Sequence, residues 1–575
     1  MKKIFVATFA LAMVIFLTTP GRTLAAGNDT LVVYASGQSL DQVINSDTLS
    51  GGSQAHSVYK LVSLDTTYYY LGAVNVTSNI TVIGVLGSDG RPPCIQPGVL
   101  QDGSVPATLF SMSTAGTTCR FENIYVFELS TQGTWTGGTT FNVTASNIDV
   151  YMNNVIDEEN HYVIIWYSGD HDNFYLTNCK IRNTVNPTDW YAPQFVAPNG
   201  YLPVFPIDTL IMKYNSFFCT NGGAGGSTFT KYLEFEHNSV VFTNYTAMVP
   251  PPGNIGSAKI DNNIFYGVMA GGNSKSEFTW MDDPFQPEVA SILDFDTLTL
   301  SQDSLIDPAD IGKSNLRMLA EGKRNVEIKD NVYFIPKAIT DFQTAWDDTA
   351  HADSLYSVGW MNARTEHMFN DLTDWPGLTQ SGNMVGTDPG YGSSFANVLT
   401  GGTGYGVGLL DYVGLVRSGT VTTQEWGYHK QSVTGTNWVP NWPLPEAADM
   451  QYSNATVKTS STDGKPVGDP YWFNGITAVK TPPTAVPAKF SLSNNYPNPF
   501  NPSTQINFSV DKNGLTSLKI YNVLGQLVMT VFEGNAAPHQ NYSFNVSLDR
   551  FASGVYFYTL HNASNTITKK MLLLK

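Results

Sequence analysis

The sequence predicts an all-β protein: a right-handed parallel β-helix, which is a solenoid of stacked strand pairs, carries an irregular lobe and precedes a small Ig-like β-sandwich. Three observations lead to this fold class. A short frame of apolar residues recurs through the first 340 residues, no helical repeat accompanies it, and the last 86 residues contain alternating strand patterns. Aromatic residues make up 12% of the chain and charged residues 14%, with 50 glycines and 31 prolines, which is typical of short strands joined by many turns.

The N-terminus has the composition of an export signal. Lys2 and Lys3 precede an apolar run from Ile4 to Leu17, and small residues follow up to Ala26. This order predicts a secretory signal peptide over residues 1–26. No later segment offers about eighteen uninterrupted apolar residues, so we expect no transmembrane segment in the mature chain.

The stretch LEFEHNSV, which ends at Val240, defines the repeating frame: apolar residues at its first, third and eighth positions and an asparagine slot at the sixth. Copies of the frame place in that slot Asn153, Asn215, Asn238, Asn263 and Asn331, and two further copies place Ile124 and Cys179 there. Most intervals between slots are 23 to 36 residues, which is typical of solenoid coils. The last interval of 68 residues leaves room for two further coils or for one coil with a long insertion.

The frame has a simple physical cause. Alternating apolar side chains on a strand point into the interior, while an asparagine at the bend between two strands can bond the backbone and the asparagine of the next coil. We therefore expect the five asparagines to form a structural ladder in a β-helix over residues 27–340. His237 would lie at the bend, as scaffolding rather than as a catalytic group.

The amino-acid composition and the hydrophobic pattern change after the last copy of the frame. Residues 341–475 hold seven tryptophans from position 346 onwards among many glycines, prolines and aspartates, with short helical patterns at FQTAWDDTA and GLLDYVGLV, and predict an irregular lobe with a closing turn. A proline-rich linker follows at 476–489. The four cysteines are too widely spaced for a disulfide framework, so buried thiols are expected.

Charge is distributed unevenly. The section between residues 27 and 489 holds 22 basic and 45 acidic side chains, a net charge of −23. Because so acidic a surface repels phosphate groups, the sequence argues against nucleic acid and anionic lipid as partners.

Three groups of residues are candidates for a catalytic or binding site. In the first, Asp157 and Glu158 could hold calcium while Arg182, with Lys180 beside it, faces outward on the next coil as a base; a surface ion-pair ladder is the alternative interpretation. In the second, Asp170 and His171 lie in an Asp-rich loop that either acts on a sugar or is an ordinary turn. In the third, Trp280 could stack a sugar ring beside Asp282 and Asp283.

The C-terminal segment carries the most specific motifs. YPNPFNPSTQINFSV, LKIYNVLGQLV, FASGVYFYTL and the terminal KKMLLLK occur in order within residues 490–575. They resemble the C-terminal sorting domain of the bacterial type IX secretion system. The resemblance implies export across the inner membrane, recognition by the type IX machinery, and a final location in the medium or on the outer-membrane surface, with removal or replacement of the domain.

The middle section resembles the β-helix proteins that include pectate lyases and polygalacturonases, on the repeat frame alone. No stretch resembles the W-x-D-H, R-x-P-x-x-R or G-H-G motifs of those enzymes. Two hypotheses follow: a surface binding or structural protein directed at extracellular polysaccharide, or a polysaccharide lyase or glycoside hydrolase, with calcium as the cofactor that a lyase would take. Scarce basic residues count against an anionic substrate.

Overall fold

The computed structural model of the chain describes residues 29–35, 37–186, 193–199, 205, 207–223, 230–244, 255–274, 291–293, 295, 324–346, 355–356, 359–401, 407–420, 426–427, 432–434, 437–444, 449–473, 490–493, 495, 498–510, 514–536, 541–562 and 565–574. These residues form two compact units, one within residues 1–476 and one within 477–575. Both units are built mainly from strands, so the all-β class is confirmed. The predicted signal peptide and the linker at 476–489 lie outside the described residues.

The first unit contains one large parallel sheet, with nineteen strands among the described residues. Each repeat contributes a first strand, a sharp bend and a second strand. The first strands are Thr30–Val33, Val58–Leu61, Ile80–Gly84, Thr118–Phe127, Asp149–Glu158, Asp172–Thr177, Ile207–Lys213, Thr230–Glu236, Ile255–Asp261, Asn325–Lys329 and Leu378–Ser381. The second strands are Tyr68–Tyr70, Cys94–Pro97, Lys180–Thr184, Ser216–Thr220, Ser239–Thr243, Ile264–Tyr266, Val332–Phe334 and Met384–Val385, while Thr118–Phe127 and Asp149–Glu158 run through the bend without a break.

Successive repeats pair in parallel, residue against equivalent residue, because the apolar positions keep one register. One buried row runs through Phe121, Met152, Leu176, Met212, Phe235, Ile260 and Ile328. A slip of one residue would turn this whole row outward, so burial of the row specifies the register.

A second parallel sheet closes the other side of the core. Its strands are Val74–Val76, Thr108–Met112, Thr139–Val143, Val163–Tyr167 and Gln194–Pro198. Between the sheets, the rings of Phe110, Phe121 and Phe141 lie with centroids 4.6 to 5.5 Å apart. The two sheets therefore share one apolar core.

The bend before each slot has a left-handed backbone. Asn123, Asn154, Asn178, Tyr214, His237, Asn262, Asp330 and Gly382 have φ between 52° and 68°. Asparagine and glycine adopt this conformation readily, which explains why they dominate the set.

Most of the lobe packs against the outer side of the second strands, whereas Trp360, Met361, Met368 and Phe369 join the core between the two sheets. Its helices are Lys337–Trp346, Ala363–Asn370, Phe395–Thr400, Leu409–Arg417 and Ala455–Thr459, with a 3-10 turn at Pro470–Phe473; a further helix, Leu40–Ser46, lies near the N-terminus. Short strand pairs join Asn273–Ser274 to Leu355–Tyr356, Ser291–Leu293 to Gly359–Met361, and Ser432–Thr434 to Asn437–Val439. Phe395 contacts Phe218 and Phe242 of the sheet, and Trp426 and Trp472 complete this second apolar cluster.

The second unit consists of two antiparallel sheets around its own core. One sheet holds Ser491–Leu492, Ser503–Ser509 and Asn541–Ser547, and the other holds Gly514–Asn522, Leu527–Ala536, Gly554–Asn562 and Asn565–Leu573. Ile506, Phe508, Ile520, Tyr558 and Met571 are buried in this core. In the parts of both units that are described, no helix is both long and apolar enough to cross a membrane.

Candidate functional site

A column of asparagine side chains runs along the bends. The side-chain amide of Asn215 donates to Oδ1 of Asn238 (2.9 Å), Asn238 donates to Asn263 (3.1 Å), and Asn263 donates to Asn331 (2.9 Å). The same amides also donate to backbone carbonyl oxygens, such as that of Met212 for Asn238 (2.8 Å). All four side chains are buried, so they hold successive bends together and offer no group to solvent.

Two features of this column differ from the sequence analysis. Asn383 extends it, accepting a hydrogen bond from Asn331 (3.0 Å), and was missed because Gln380 stands where the frame has its second apolar residue. Asn331 contacts Asn263 directly, so the interval of 68 residues is one repeat with a long insertion.

The placement of Asn153 in the column is wrong by two residues. Ile124 pairs with Val155, so Val155 occupies the slot, and Asn154 has the left-handed backbone that precedes it. Asn153 lies half-buried on the opposite side of the strand and accepts from Asn178 Nδ2 (2.8 Å). The error arose because Ile148, Val150 and Val155 complete the apolar frame around Asn153, whereas the observed register places Asp157 at the last apolar position.

Arg182 forms a buried ion pair with Glu158. Its side chain is 1% exposed, and Tyr125 and Asn183 donate further hydrogen bonds to the Glu158 carboxylate. Glu158 and Arg182 are register partners on neighbouring repeats, but the lobe covers the outer face on which they lie. The prediction that Arg182 faces solvent as a base is therefore wrong. The alternative, an ion-pair ladder on the surface, is also wrong because the pair is buried.

Asp157 and Glu158 do not form a calcium pair. Consecutive residues of a strand point to opposite sides, and Asp157 lies in the inward row with Val126 and Ile181 whereas Glu158 lies in the outward row. Among the described residues, no three His, Cys, Asp or Glu side chains are grouped so that they could hold a metal ion. These residues do not fit calcium.

Asp157 instead belongs to a buried cluster with a second carboxyl group, that of Glu128. Thr140 Oγ1 lies 2.6 Å from Glu128 Oε1 and 2.8 Å from Asp157 Oδ2, and Tyr70 donates to Glu128 (2.8 Å). Burial raises the pKa of both carboxyls, and for Asp157 the charge of Glu128 adds to this. Since one hydroxyl proton cannot serve two carboxylates, a carboxyl proton completes the cluster.

Lys180 is held by a segment of the lobe that we call the strap, Ser461–Phe473. Its Nζ lies 2.8 Å from Asp469 Oδ2 and 4.5 Å from the centre of the Tyr471 ring. Ser216 donates to the same carboxylate (2.7 Å) and accepts from Trp472 Nε1 (2.7 Å). Lys180 therefore fastens the strap to the sheet and is not available to a substrate.

His237 is fully buried beneath the same strap. Its Nδ1 faces the carbonyl oxygens of Pro466 and Gly468, each at 3.1 Å, and its Nε2 faces Asp463 Oδ2 at 3.1 Å. Both ring nitrogens therefore face oxygen atoms of the strap, which fix the orientation of the ring. Partial burial opposes ionisation of Asp463, but hydrogen bonds from Lys465 and Ser461 and the charge of His237 lower the pKa of that carboxyl.

Asp170 and His171 lie in a turn that keeps partial exposure. His171 has φ of 62° and contacts Asp208 (2.9 Å). The neighbouring Asp172 is buried and accepts a hydrogen bond from the Ile148 backbone (2.8 Å). Burial, with a smaller contribution from nearby aspartates, raises the pKa of Asp172 to about 8. Trp280, Asp282 and Asp283 lie outside the described residues.

The second unit is the part of the chain with a family match. Residues 494–574 match the secretion system C-terminal sorting domain. Comparison with curated proteins and with solved structures found no match for the chain. The match and the two antiparallel sheets cover the same segment as the motifs in the sequence. The C-terminal unit is a secretion sorting domain, and the chain is a bacterial protein exported by type IX secretion to the cell surface or the medium.

Proposed function

We propose that the chain is a surface-displayed or released binding protein whose first unit engages extracellular carbohydrate without chemical conversion. One observation carries this proposal: the charged residues that suggested catalysis, Arg182 and Lys180, are buried in internal ion pairs. Either cation could reach a polymer only if the lobe came away from the sheet. The sorting domain supports the extracellular setting in which polysaccharide is met.

The fold that suits this role is a right-handed parallel β-helix over residues 27–340 with a lobe over 341–475, followed by an Ig-like sandwich at 490–575. The strands Leu378–Ser381 and Met384–Val385 add one more repeat to the large sheet beyond residue 340. Residue-by-residue parallel pairing of successive repeats, the asparagine column and the left-handed bends support the solenoid. Solenoids present long, regular faces, and such faces bind extended polymers.

An uncovered face of the large sheet carries flat side chains in a row. The Arg120 guanidinium lies 3.8 Å from the centre of the Tyr151 ring, and the Tyr151 and Tyr175 rings stack 4.4 Å apart at 6°. Each of these side chains is half-buried, so one edge remains open to solvent. Aromatic and guanidinium planes of this kind contact the C–H faces of sugars while their polar ends bond hydroxyl groups.

Export would proceed in two steps. The signal peptide at 1–26 would direct the chain across the inner membrane, and the type IX machinery would then recognise residues 490–575 and release or anchor the chain at the outer-membrane surface. The net charge of −23 on the intervening section argues against nucleic acid as a partner.

The test incubates the full chain with a panel of plant, algal and animal polysaccharides, with and without calcium. Retention of the protein on the polymer and release of shortened products are measured in the same samples. We expect retention on at least one polymer, no shortened products and no effect of calcium. Calcium-dependent release of unsaturated products would support the lyase alternative instead, and hydrolysis products lost in a His171→Ala variant would support a glycoside hydrolase that uses the Asp170–His171 turn.

A further inference from the structure

The first unit contains a pocket at its N-terminal end that none of the candidate sites includes. Its volume is about 420 Å³. It is lined by Ala35, Gly37, Gln38, Ser39, Tyr69, Leu71, Gly98, Val99, Thr131 and Gln132. Apart from Tyr69, which lies in the strand Tyr68–Tyr70, these residues lie in the loops that follow four strands: Thr30–Val33, Tyr68–Tyr70, Cys94–Pro97 and Thr118–Phe127. Loops of neighbouring repeats therefore build the pocket together.

The lining combines hydrogen-bonding groups with an apolar wall, and none of its described residues is charged. Gln38 and Gln132 expose their side-chain amides, and Thr131 adds a hydroxyl group. Tyr69 and Leu71 are 38% and 40% exposed, although both are large and mainly apolar. In a protein with net charge −17, ten uncharged lining residues favour a neutral ligand.

Backbone contacts fix the walls of the pocket. Leu71 N donates to Asp41 Oδ1 (2.9 Å), and Gly98 N donates to the Tyr70 carbonyl (2.8 Å). On the opposite wall, the Thr131 carbonyl accepts from Trp438 N of the lobe (3.1 Å). A Cβ atom on Gly98 would lie 2.6 Å from a Leu71 methyl group, so glycine allows the two walls to approach. Walls held in this way lose little freedom when a ligand binds.

We propose that this pocket binds a neutral saccharide of one or two sugar units. A sugar presents hydroxyl groups around its rim and C–H groups on its faces. The hydroxyl groups match the side-chain amides and the Thr131 hydroxyl of the pocket, and the C–H faces match the Tyr69 ring and Leu71. The volume lies within the range of about 300–1,000 Å³ that is usual for small-molecule sites. This inference rests on the proposed carbohydrate-binding role and assigns that role to a place in the fold.

The experiment measures binding of cellobiose, maltose, lactose and mannobiose, with digalacturonate as the charged comparator, by titration calorimetry on the full chain. The variants are Tyr69→Ala and Gln132→Ala. Gln101→Ala is the matched control, because Gln101 is an exposed glutamine that does not line the pocket, although it lies in the loop that contributes Gly98. Thermal unfolding of each variant verifies that it is folded.

We expect at least one neutral disaccharide to bind. Each pocket variant should lower the affinity about fivefold or more, which is the effect of losing one good contact, and Gln101→Ala should leave the affinity unchanged. Binding that survives both pocket variants would overturn the pocket inference and leave the proposed function standing. Binding of digalacturonate alone would overturn the neutral class. Binding of none of these sugars would overturn the pocket inference, whereas the proposed function would then fail only if the polysaccharide panel also gave no retention.

Discussion

Replacing Asn238 by alanine removes the centre of the asparagine column. Four side-chain hydrogen bonds disappear: two donated by Nδ2, to the Met212 carbonyl and Asn263, and two accepted by Oδ1, from the backbone N–H and the side-chain amide of Asn215. The Asn215 N–H then lacks its acceptor in a fully buried place. A buried polar group without a partner costs about 1–3 kcal/mol, so the Asn215 N–H and the Met212 carbonyl together give a loss of about 2–6 kcal/mol.

Equilibrium unfolding by guanidinium chloride, followed by circular dichroism, measures this loss in the mature chain. Asn142→Ala is the matched control, because Asn142 is a half-buried asparagine of a strand in the second sheet and lies outside the column. We expect its free energy of unfolding to change by less than about 0.5 kcal/mol. Equal stability of Asn238→Ala and the wild-type chain would refute the structural role of the column.

Two further perturbations test the buried charges. Arg182→Ala leaves Glu158 buried without its cation and should lower the free energy of unfolding by about 3–5 kcal/mol. The double variant Arg182→Met with Glu158→Gln should recover part of that loss. If urea titration shows Arg182→Ala to be as stable as the wild type, the burial of the pair is contradicted. Asp172 keeps its proton in the folded chain up to about pH 8, while in the unfolded chain it ionises near its ordinary value of 3.8. Its contribution to stability is therefore lost as pH rises from about 4 to about 8, and Asp172→Asn should flatten the stability profile between pH 5 and pH 8; an unchanged slope in unfolding titrations at these two pH values would rule out Asp172 as its source.

The repeat was predictable because its cause is local. Apolar residues at the first and third frame positions must face the core, and an asparagine after a left-handed bend occurs in most copies, so Asn215, Asn238, Asn263 and Asn331 could be recognised from spacing alone. Buried thiols were also predictable from cysteine spacing, and the four cysteines are buried and form no disulfide bond. The two short helical patterns are confirmed as the helices Lys337–Trp346 and Leu409–Arg417.

The burial of Lys180, Arg182 and His237 was not predictable in the same way. Each lies on the outward side of its strand or bend, and outward residues of a lone solenoid face water. The lobe covers them, and the contacts of the strap join residues more than 220 positions apart, such as Asp463 and His237. Nothing in the local pattern reports such long-range packing, so an outward cation resembled a catalytic base.

The family match supports the export route, and the measurement that tests it most directly compares the full chain with a chain that lacks residues 490–575. Both are expressed in a bacterium with a type IX system, cells are fractionated, and intact cells are treated with protease. The account predicts that the full chain reaches the cell surface or the medium, while the shortened chain stays in the periplasm, folded and protected. The first unit has its own sheets and its own apolar core, so its fold should persist without the second. A shortened chain that still appears outside the cell would contradict the assignment of residues 490–575 as the sorting domain.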